Sequence, residues 1–396
     1  MNGAREVVVV AAVRTAIGDF GGSLKGVPPT ELGARVVREA IVRSGLAAAD
    51  IGHVVFGNVI QTEPRDMYLA RVCAMDGGVP RETPALTLNR LCGSGLQAII
   101  SAAQTVALGD TDVALAGGAE CMSRAGYSMP AARWGQRMGE AALTDWMMGA
   151  LSDPFDRQHM GVTAERIAEQ WNIGREAQDA FAVESHRRAA RAIAEGRFRS
   201  QILPIEIKDR KGTVVFDTDE HVLADTTMES LAKLKTVFRK DGTVTAGNAS
   251  GLNDGAAAVV LMERGAAERK GARAMARLVG YGHAGVDPAI MGIGPVPAVA
   301  AAMQRAGLTV GDMDVIESNE AFAAQACAVA RDLQFDPERT NPNGGAVALG
   351  HPIGATGCIL TIKALYELER IGGRYALVTM CIGGGQGIAA IYERLH

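Results

Sequence analysis

Charge clusters, paired cysteines and long apolar runs are all scarce in this 396-residue chain. Each shortage removes a class of function. Lysine and arginine form no run and the formal net charge is −4, so neither a nucleic acid nor a membrane surface is an expected partner. The six cysteines nowhere form a CxxC pair, so no zinc site is expected. The early apolar run Val7 to Val13, VVVVAAV, is too short to span a bilayer and lacks a cleavage-site pattern. It reads as a buried strand. With no export signal in view, a cytoplasmic location and free thiols are expected, and the sequon at Asn248-Ala249-Ser250 would go unused.

Glycine is what the chain has in plenty. Its 48 glycines suggest many tight turns or close approaches of backbone to a ligand. The length is too great for one simple core, so two or more packed units are expected.

The sequence also repeats itself. RSGLAAADIGHVVFGN (Arg43 to Asn58) and RAGLTVGDMDVIESNE (Arg305 to Glu320) each read as a helix end, a Gly-Leu stop, an aspartate and an apolar strand. Gly45 falls on Gly307, an offset of 307 − 45 = 262, and the same offset places Gly95 on Gly357 and Ala114-Leu115 on Ala376-Leu377. GAAAVVLME (Gly255 to Glu263) and GIAAIYE (Gly387 to Glu393) each close a half as a strand. A duplicated α/β unit is expected, with residues 1–120 and 245–270 forming the first half and 271–396 the second. Residues 121–244 are then an insertion, with helix patterns at TAERIAEQW and through AQDAFAVESHRRAARAIAEG, the latter stopping at Gly196. The insertion carries Arg187, Arg188, Arg191, Lys208, Arg210 and Lys211. These read either as a solvated helix face or as a cap that holds an anionic ligand.

One thiol stands out. In NRLCGSGLQ (Asn89 to Gln97), Cys92 lies between the strand pattern PALTL and apolar residues at Leu96, Ile99, Ile100, Ala103 and Val106, which have helical spacing up to the stop at Gly109. A helix start is expected to favour the thiolate and lower its pKa, and Gly93 and Gly95 are expected to let a substrate approach the backbone. Cysteine also serves as a small buried filler. Gly93 to Ala98 fits the dinucleotide pattern GxGxxA, with Glu120 ending the next strand. That would suggest a nicotinamide cofactor, on a weak motif.

A nucleophile needs a base and an oxyanion site. His351, in NPNGGAVALGHPIGATG, sits in a glycine-rich loop with few charges, where its imidazole is expected to stay neutral. The repeat maps His351 onto Asn89, three residues from Cys92. Cys381, in YALVTMCIGGGQG, ends a buried strand before three glycines, a place for an acid or base or for a buried filler. Asn319, in ESNEAFAAQACAVA, either caps the helix that follows or fixes a water facing an oxyanion.

Together NRLCGSGLQA, SNEAFAAQ, GGAVALGHPIGATG, MCIGGGQG and TVTAGNASGLNDGAAA resemble the thiolase family over essentially the whole chain, and most closely the bacterial β-ketothiolases that supply polyhydroxyalkanoate synthesis. The resemblance implies a five-layer αβαβα fold of duplicated βαβαβαββ halves, with the insertion as a CoA-binding loop domain. It implies a reversible Claisen condensation of acetyl-CoA with a second short acyl-CoA, with no resident cofactor and with coenzyme A thioesters as substrates. Cys92 would carry the acyl group, His351 would accept the Cys92 proton, and Cys381 would deprotonate the α-carbon of acetyl-CoA. One oxyanion site would use His351 and a water held by Asn319, the other the N–H groups of Cys92 and Gly383. Ser250 and His159 would contact the pantetheine arm, with Ala246, Leu151 and Phe238 completing the CoA site. Met160, Met291 and Phe322 would wall the acyl pocket, and two adaptable methionines there suggest room for more than a four-carbon ketoacyl group. SRAGYSMPAARWGQRMG would lie near the contact of a homotetramer, a dimer of dimers. One departure stands out: relatives often carry a basic residue shortly after DTDEH, where this chain has Val222, Leu223 and Ala224. If that residue meets a CoA phosphate, Lys208, Arg210 or Lys211 is expected to replace it. The rival readings are a ketoacyl synthase, which needs no second thiol, and a non-catalytic acyl-CoA carrier, which needs no nucleophile.

Overall fold

The computed structural model describes residues 5–209 and 212–395. Apolar, β-branched runs form the strands. They are β1 (Val7–Thr15), β2 (His53–Gly57), β3 (Ala85–Leu88), β4 (Val113–Cys121), β5 (Asn253–Glu263), β6 (Ala276–Gly285), β7 (Val315–Ser318), β8 (Tyr375–Ile382) and β9 (Gln386–Arg394). Burial on both faces explains why β1, β4 and β5 read as continuous apolar runs instead of alternating. The main helices are α1 (Pro29–Ser44), α2 (Leu69–Asp76), α3 (Ser94–Leu108), α4 (Met160–Gln170), α5 (Arg175–Ala194), α6 (Pro295–Ala306), α7 (Ala323–Asp332) and α8 (Thr356–Ile371). The helix stops read from the sequence are left-handed glycines: Gly45, Gly109, Gly196 and Gly307 all have positive φ.

The strands follow the order β7-β8-β9-β6-β1-β5-β4-β2-β3. Within each half the inner pairings are antiparallel, β1 with β5 and β6 with β9, and the outer ones are parallel, β2 with β4 and β7 with β8. Among the described residues, the two half-sheets pair only through two residues of β1, Val8 opposite Arg277 and Val9 opposite Ala276. That short seam lets the two half-sheets stack as separate layers while remaining one hydrogen-bonded path. Helices α3 and α8 pack on each other and on strands of both half-sheets; α1 covers the first half-sheet and α6 the second. This is the expected five-layer αβαβα arrangement.

The centre of the molecule is where the repeat closes on itself. A Cβ on Gly95 would lie 2.8 Å from the Cys358 nitrogen, and one on Gly357 would strike the Leu96 backbone. The two glycines related by the 262 offset are therefore what allow the first turns of α3 and α8 to touch, and the loops that precede those turns open at the same place.

The insertion contributes α4, α5 and a hairpin of 205–209 with 212–216. It is pinned to the core by a buried bidentate pair, Arg14 on β1 donating to both carboxylate oxygens of Asp219 at 2.7 and 2.9 Å. Three of its arginines are held by groups of the protein itself. Arg187 and Arg188 hold Glu184, Arg188 donates to the carbonyls of Pro337 and Thr340, and Arg191 donates to Pro342.

Candidate active site

The turn between β3 and α3 is built to hold one conformation. Leu91 takes a left-handed φ of 45°, a conformation that costs a non-glycine residue roughly 1–2 kcal/mol. Local bonds fix it there: the Asn89 Oδ1 accepts from the Leu91 N–H at 2.9 Å, and the Ser94 hydroxyl accepts from Arg90 N–H at 2.8 Å and donates to the Leu91 carbonyl at 2.7 Å. Cys92 follows, 8% exposed.

Three sequence readings fail at this turn. Gly93 and Gly95 do not open the backbone to a substrate. A Cβ on Gly93 would lie 2.5 Å from the Ile382 side chain, and Gly95 is filled by α8, so both glycines admit the other half of the chain. The same crowding leaves no room for a pyrophosphate at the start of α3, and the dinucleotide reading falls with it. The Cys92 thiol is also not lowered. Burial pushes it up to about 11, against the pull of the Gly383 N–H and its own N–H, and the Glu120 charge adds to the rise. Desolvation outweighs the helix start, so the resting nucleophile is a thiol and needs a base.

His351 has the form of that base. Burial alone pushes its imidazole down to about 4, so it is neutral at physiological pH, as expected. Its tautomer follows from one hydroxyl. Thr356 donates its only proton to the Pro352 carbonyl at 2.9 Å and so must accept from His351 Nδ1, 2.6 Å away. Nε2 is left with its lone pair and faces the Asn319 Nδ2 at 3.4 Å. Asn319 is fully buried, and its Oδ1 has no partner among the described residues, an arrangement suited to holding a water. It is not a helix cap: α7 begins at Ala323, after Phe322.

Cys381 is fully buried at the end of β8. Burial pushes its thiol up, and a charge on Cys92 would push it the same way. The turn continues through Gly384 and Gly385, both at positive φ. A Cβ on Gly383 would strike the Met160 methyl.

Cys381, Met160, Met291 and Phe322 share one apolar cluster, with Leu91 and Phe238 against it. His159 stacks on Phe238 at 4.6 Å, and Phe238 meets Phe322 edge-on at 6.3 Å. His159 Nδ1 accepts from Gly161 N–H at 3.0 Å, leaving Nε2–H free to donate. Ser250 is tied to this wall by its N–H to the Ala321 carbonyl at 3.0 Å. Beside the cluster opens a cavity of about 660 Å³, lined by Val59, Ile60, Leu91, Trp146, Met160 and Gly383 among others. Val59, Ile60 and Trp146 were not anticipated, because nothing local in the sequence marks a loop that only the fold brings here. Leu151 is half-buried and accepts the Met160 N–H, whereas Ala246 is exposed.

Of the three expected stand-ins for the missing basic residue, only Lys208 is among the described residues. Lys208 lines a different groove, with Glu31, Arg35 and Glu206 against the outside of α1; Arg210 and Lys211 lie outside the described residues. Leu223 is 63% exposed. The lysines of the 233–240 segment that carries Phe238, namely Lys233, Lys235 and Lys240, enter none of the ion pairs among the described residues.

Residues 7–265 match the model of the thiolase N-terminal domain and residues 272–394 that of the thiolase C-terminal domain. The chain is 68% identical to the Beta-ketothiolase BktB of Cupriavidus necator over 99% of this chain and all of that one. It is 52% identical to an Acetyl-CoA acetyltransferase of Pseudomonas aeruginosa over 98% of this chain and all of that one. Among solved structures it superposes on the Bacillus anthracis acetyl-CoA acetyltransferase with a TM-score of 0.98 at 47% identity over the full length of both. It superposes on human mitochondrial 3-ketoacyl-CoA thiolase in complex with CoA with a TM-score of 0.96 at 44% identity, over 99% of this chain and 98% of that one.

Proposed function

The chain belongs to the thiolase family, and we propose from that membership and the site's geometry that it is a β-ketothiolase working through an acyl-cysteine. The observation that carries the mechanism is a buried, neutral His351 whose Nε2 carries no proton, in a fold whose other helix start holds a buried, protonated Cys92. Nε2 takes the Cys92 proton as the sulfur attacks the thioester carbonyl of an acyl-CoA. The departing CoA sulfur takes the Cys381 proton, leaving acyl-Cys92, free CoA, an imidazolium and a Cys381 thiolate. That thiolate removes a proton from the α-carbon of acetyl-CoA. The carbanion attacks the acyl-Cys92 carbonyl, the new ketoacyl-CoA leaves, and His351 returns its proton to Cys92. Every step reverses for thiolysis. The N–H groups of Cys92 and Gly383, which lower the Cys92 thiol, form one oxyanion site. His351 with a water on Asn319 Oδ1 forms the other. Each donor is worth roughly 3 kcal/mol at a transition state.

His159, Ser250 and Phe238 support a pantetheine channel, with Leu151 behind it and Ala246 at its mouth. In this reading Lys233, Lys235 and Lys240 meet the CoA phosphates in place of the residue replaced by Leu223. Residues 121–244 would then be the CoA-binding loop domain. The same segment carries an arm on which Trp134 is 87% and Met138 90% exposed. Apolar side chains this open mark an interface, and a second copy in a homotetramer is the occupant we assign. Among the described residues one segment is long and apolar enough to cross a bilayer, Leu91–Leu108; it is mostly buried and includes the central helix α3.

The reading is tested by CoA-dependent cleavage of acetoacetyl-CoA and 3-ketovaleryl-CoA. Cleavage of both, lost in His351→Ala, is the expected result. Tight acyl-CoA binding without cleavage by the native protein would make it a carrier, and cleavage of acetoacetyl-CoA alone would sink the wider acyl pocket.

A further inference from the structure

Glu120 is the buried acid that the mechanism leaves unused. It ends β4, is fully buried and has four polar neighbours, all of them donors. Oε1 accepts from Asn58 Nδ2 at 3.0 Å and Ile60 N–H at 3.1 Å; Oε2 accepts from Val59 N–H at 3.0 Å and Gly354 N–H at 2.9 Å. The orientation of the Asn58 amide is fixed, because its Nδ2 also reaches the Ala119 carbonyl at 3.1 Å. A proton on this carboxyl would face an N–H on either oxygen. The cage therefore fits the ionised form, although burial pushes the group up while the N–H groups pull it down.

The donors come from two loops that the sequence keeps far apart. Gly354 is three residues beyond His351. Residues 58–60 belong to the loop that leads back to the nucleophile: Asn58 N–H donates to the Leu88 carbonyl at 3.1 Å, and Asn89 Nδ2 reaches the Val59 carbonyl at 3.5 Å. Val59 and Ile60 also line the cavity. A single carboxylate thus stands between the base loop, the nucleophile loop and the pocket wall. Glycines make the junction close, since a Cβ on Gly118 would strike the Gly354 carbonyl and one on Gly57 would lie 2.7 Å from it.

We propose that Glu120 is a positioning residue for the thiolase reaction: its carboxylate, holding Gly354 on one side and residues 58–60 on the other, sets His351 and Cys92 in register. This rests on the β-ketothiolase reading. Its test is a pair of variants, each read by steady-state thiolysis and by the pH dependence of Cys92 alkylation with iodoacetamide. Among titratable groups, Glu120 acts on Cys92, Cys92 acts on Cys381, and Asp66 acts on Glu120. In Glu120→Gln the amide must turn an N–H toward two donors and the charge is lost. The expected kcat is about 10- to 100-fold lower with KM within about 3-fold of native, and the alkylation profile moves to lower pH because a negative charge near the sulfur is gone. Glu120→Asp keeps the charge but shortens the reach: kcat falls, while the alkylation profile stays native. Native kcat and a native alkylation profile in Glu120→Gln, whatever its thermal midpoint, would reduce Glu120 to a packing role and overturn the proposal. If Glu120→Gln does not fold, Asn58→Ala removes one donor only; a smaller fall in kcat at unchanged KM supports the proposal and native kcat contradicts it. Should the native protein cleave no ketoacyl-CoA, the β-ketothiolase reading fails by itself and the alkylation profiles alone decide the role of Glu120.

Discussion

The corner at Cys92 and the corner at His351 are the same piece of structure used twice. Each leads into a helix, α3 or α8, and each helix carries a glycine, Gly95 or Gly357, that lets the other approach. The strands that follow, β4 and β8, align by the same offset. Yet the first corner holds a thiol and the second an imidazole, and the strand ends differ in the same way: Ala119-Glu120 stand where the second half has Cys381-Ile382. Duplication supplied two helix starts facing one point. The chemistry comes from what the halves do not share, with nucleophile and structural anion in one and the base and second thiol in the other.

The sharpest way to break the comparison is to remove one thiol at a time. Cys92→Ser is expected to lower both thiolysis and the exchange of labelled CoA into acyl-CoA by on the order of 1000-fold or more. Cys381→Ser should lower thiolysis as deeply while exchange falls by only about 10- to 100-fold, because exchange breaks no carbon–carbon bond. Equal losses in both assays for both variants would mean the thiols act as one unit.

A smaller effect isolates the base. Thr356→Val keeps the shape of the α8 start but leaves His351 Nδ1–H without its acceptor. An unpaired buried donor costs about 1–3 kcal/mol, so kcat should fall about 10- to 100-fold with KM little changed. An unaltered kcat would show that the tautomer is set elsewhere.

The helix crossing is tested by stability. Gly357→Ala puts a methyl against the Leu96 backbone, an overpacking expected to cost about 1–3 kcal/mol, read as a lower denaturation midpoint. Gly372→Ala would meet nothing within 4 Å and suffers only the strain of a positive φ, so it should be the milder of the two.

The gentlest difference is in pH. His351 and His186 are both pushed down to about 4 by burial, below the roughly 6.5 of an unfolded histidine. The unfolded chain therefore binds more protons between those values, and stability is lost as pH falls from about 6.5 toward about 4. Unfolding midpoints across that window should drop less in His351→Asn than in the native protein.

Much of this was legible in the sequence. The repeat, the helix stops and the neutrality of His351 follow from local patterns that tertiary contacts then reinforce. What could not be read there depends on partners distant in the chain. The rise of the Cys92 thiol comes from desolvation by both halves, and a helix start alone suggests the opposite sign. Gly93 and Gly95 announce that something comes close, but not that it is Ile382 and Cys358. Asn319 has the spacing of a cap, yet its helix starts four residues later. Glu120 has the spacing of a ribose-binding acid, and only the fold reveals that its oxygens are saturated by four N–H groups. Lys208 has the right charge, but charge says nothing about which face of the hairpin it occupies.

The most direct test of the division of labour is to find where the acyl group sits. Native protein and Cys381→Ser, mixed with acetyl-CoA, quenched in acid and digested, should carry one acetyl group on the peptide containing Cys92 and none on the peptide containing Cys381. Acetyl on Cys381, or none on either while ketoacyl-CoA is still cleaved, would contradict the assignment of Cys92 as the nucleophile and His351 as its base.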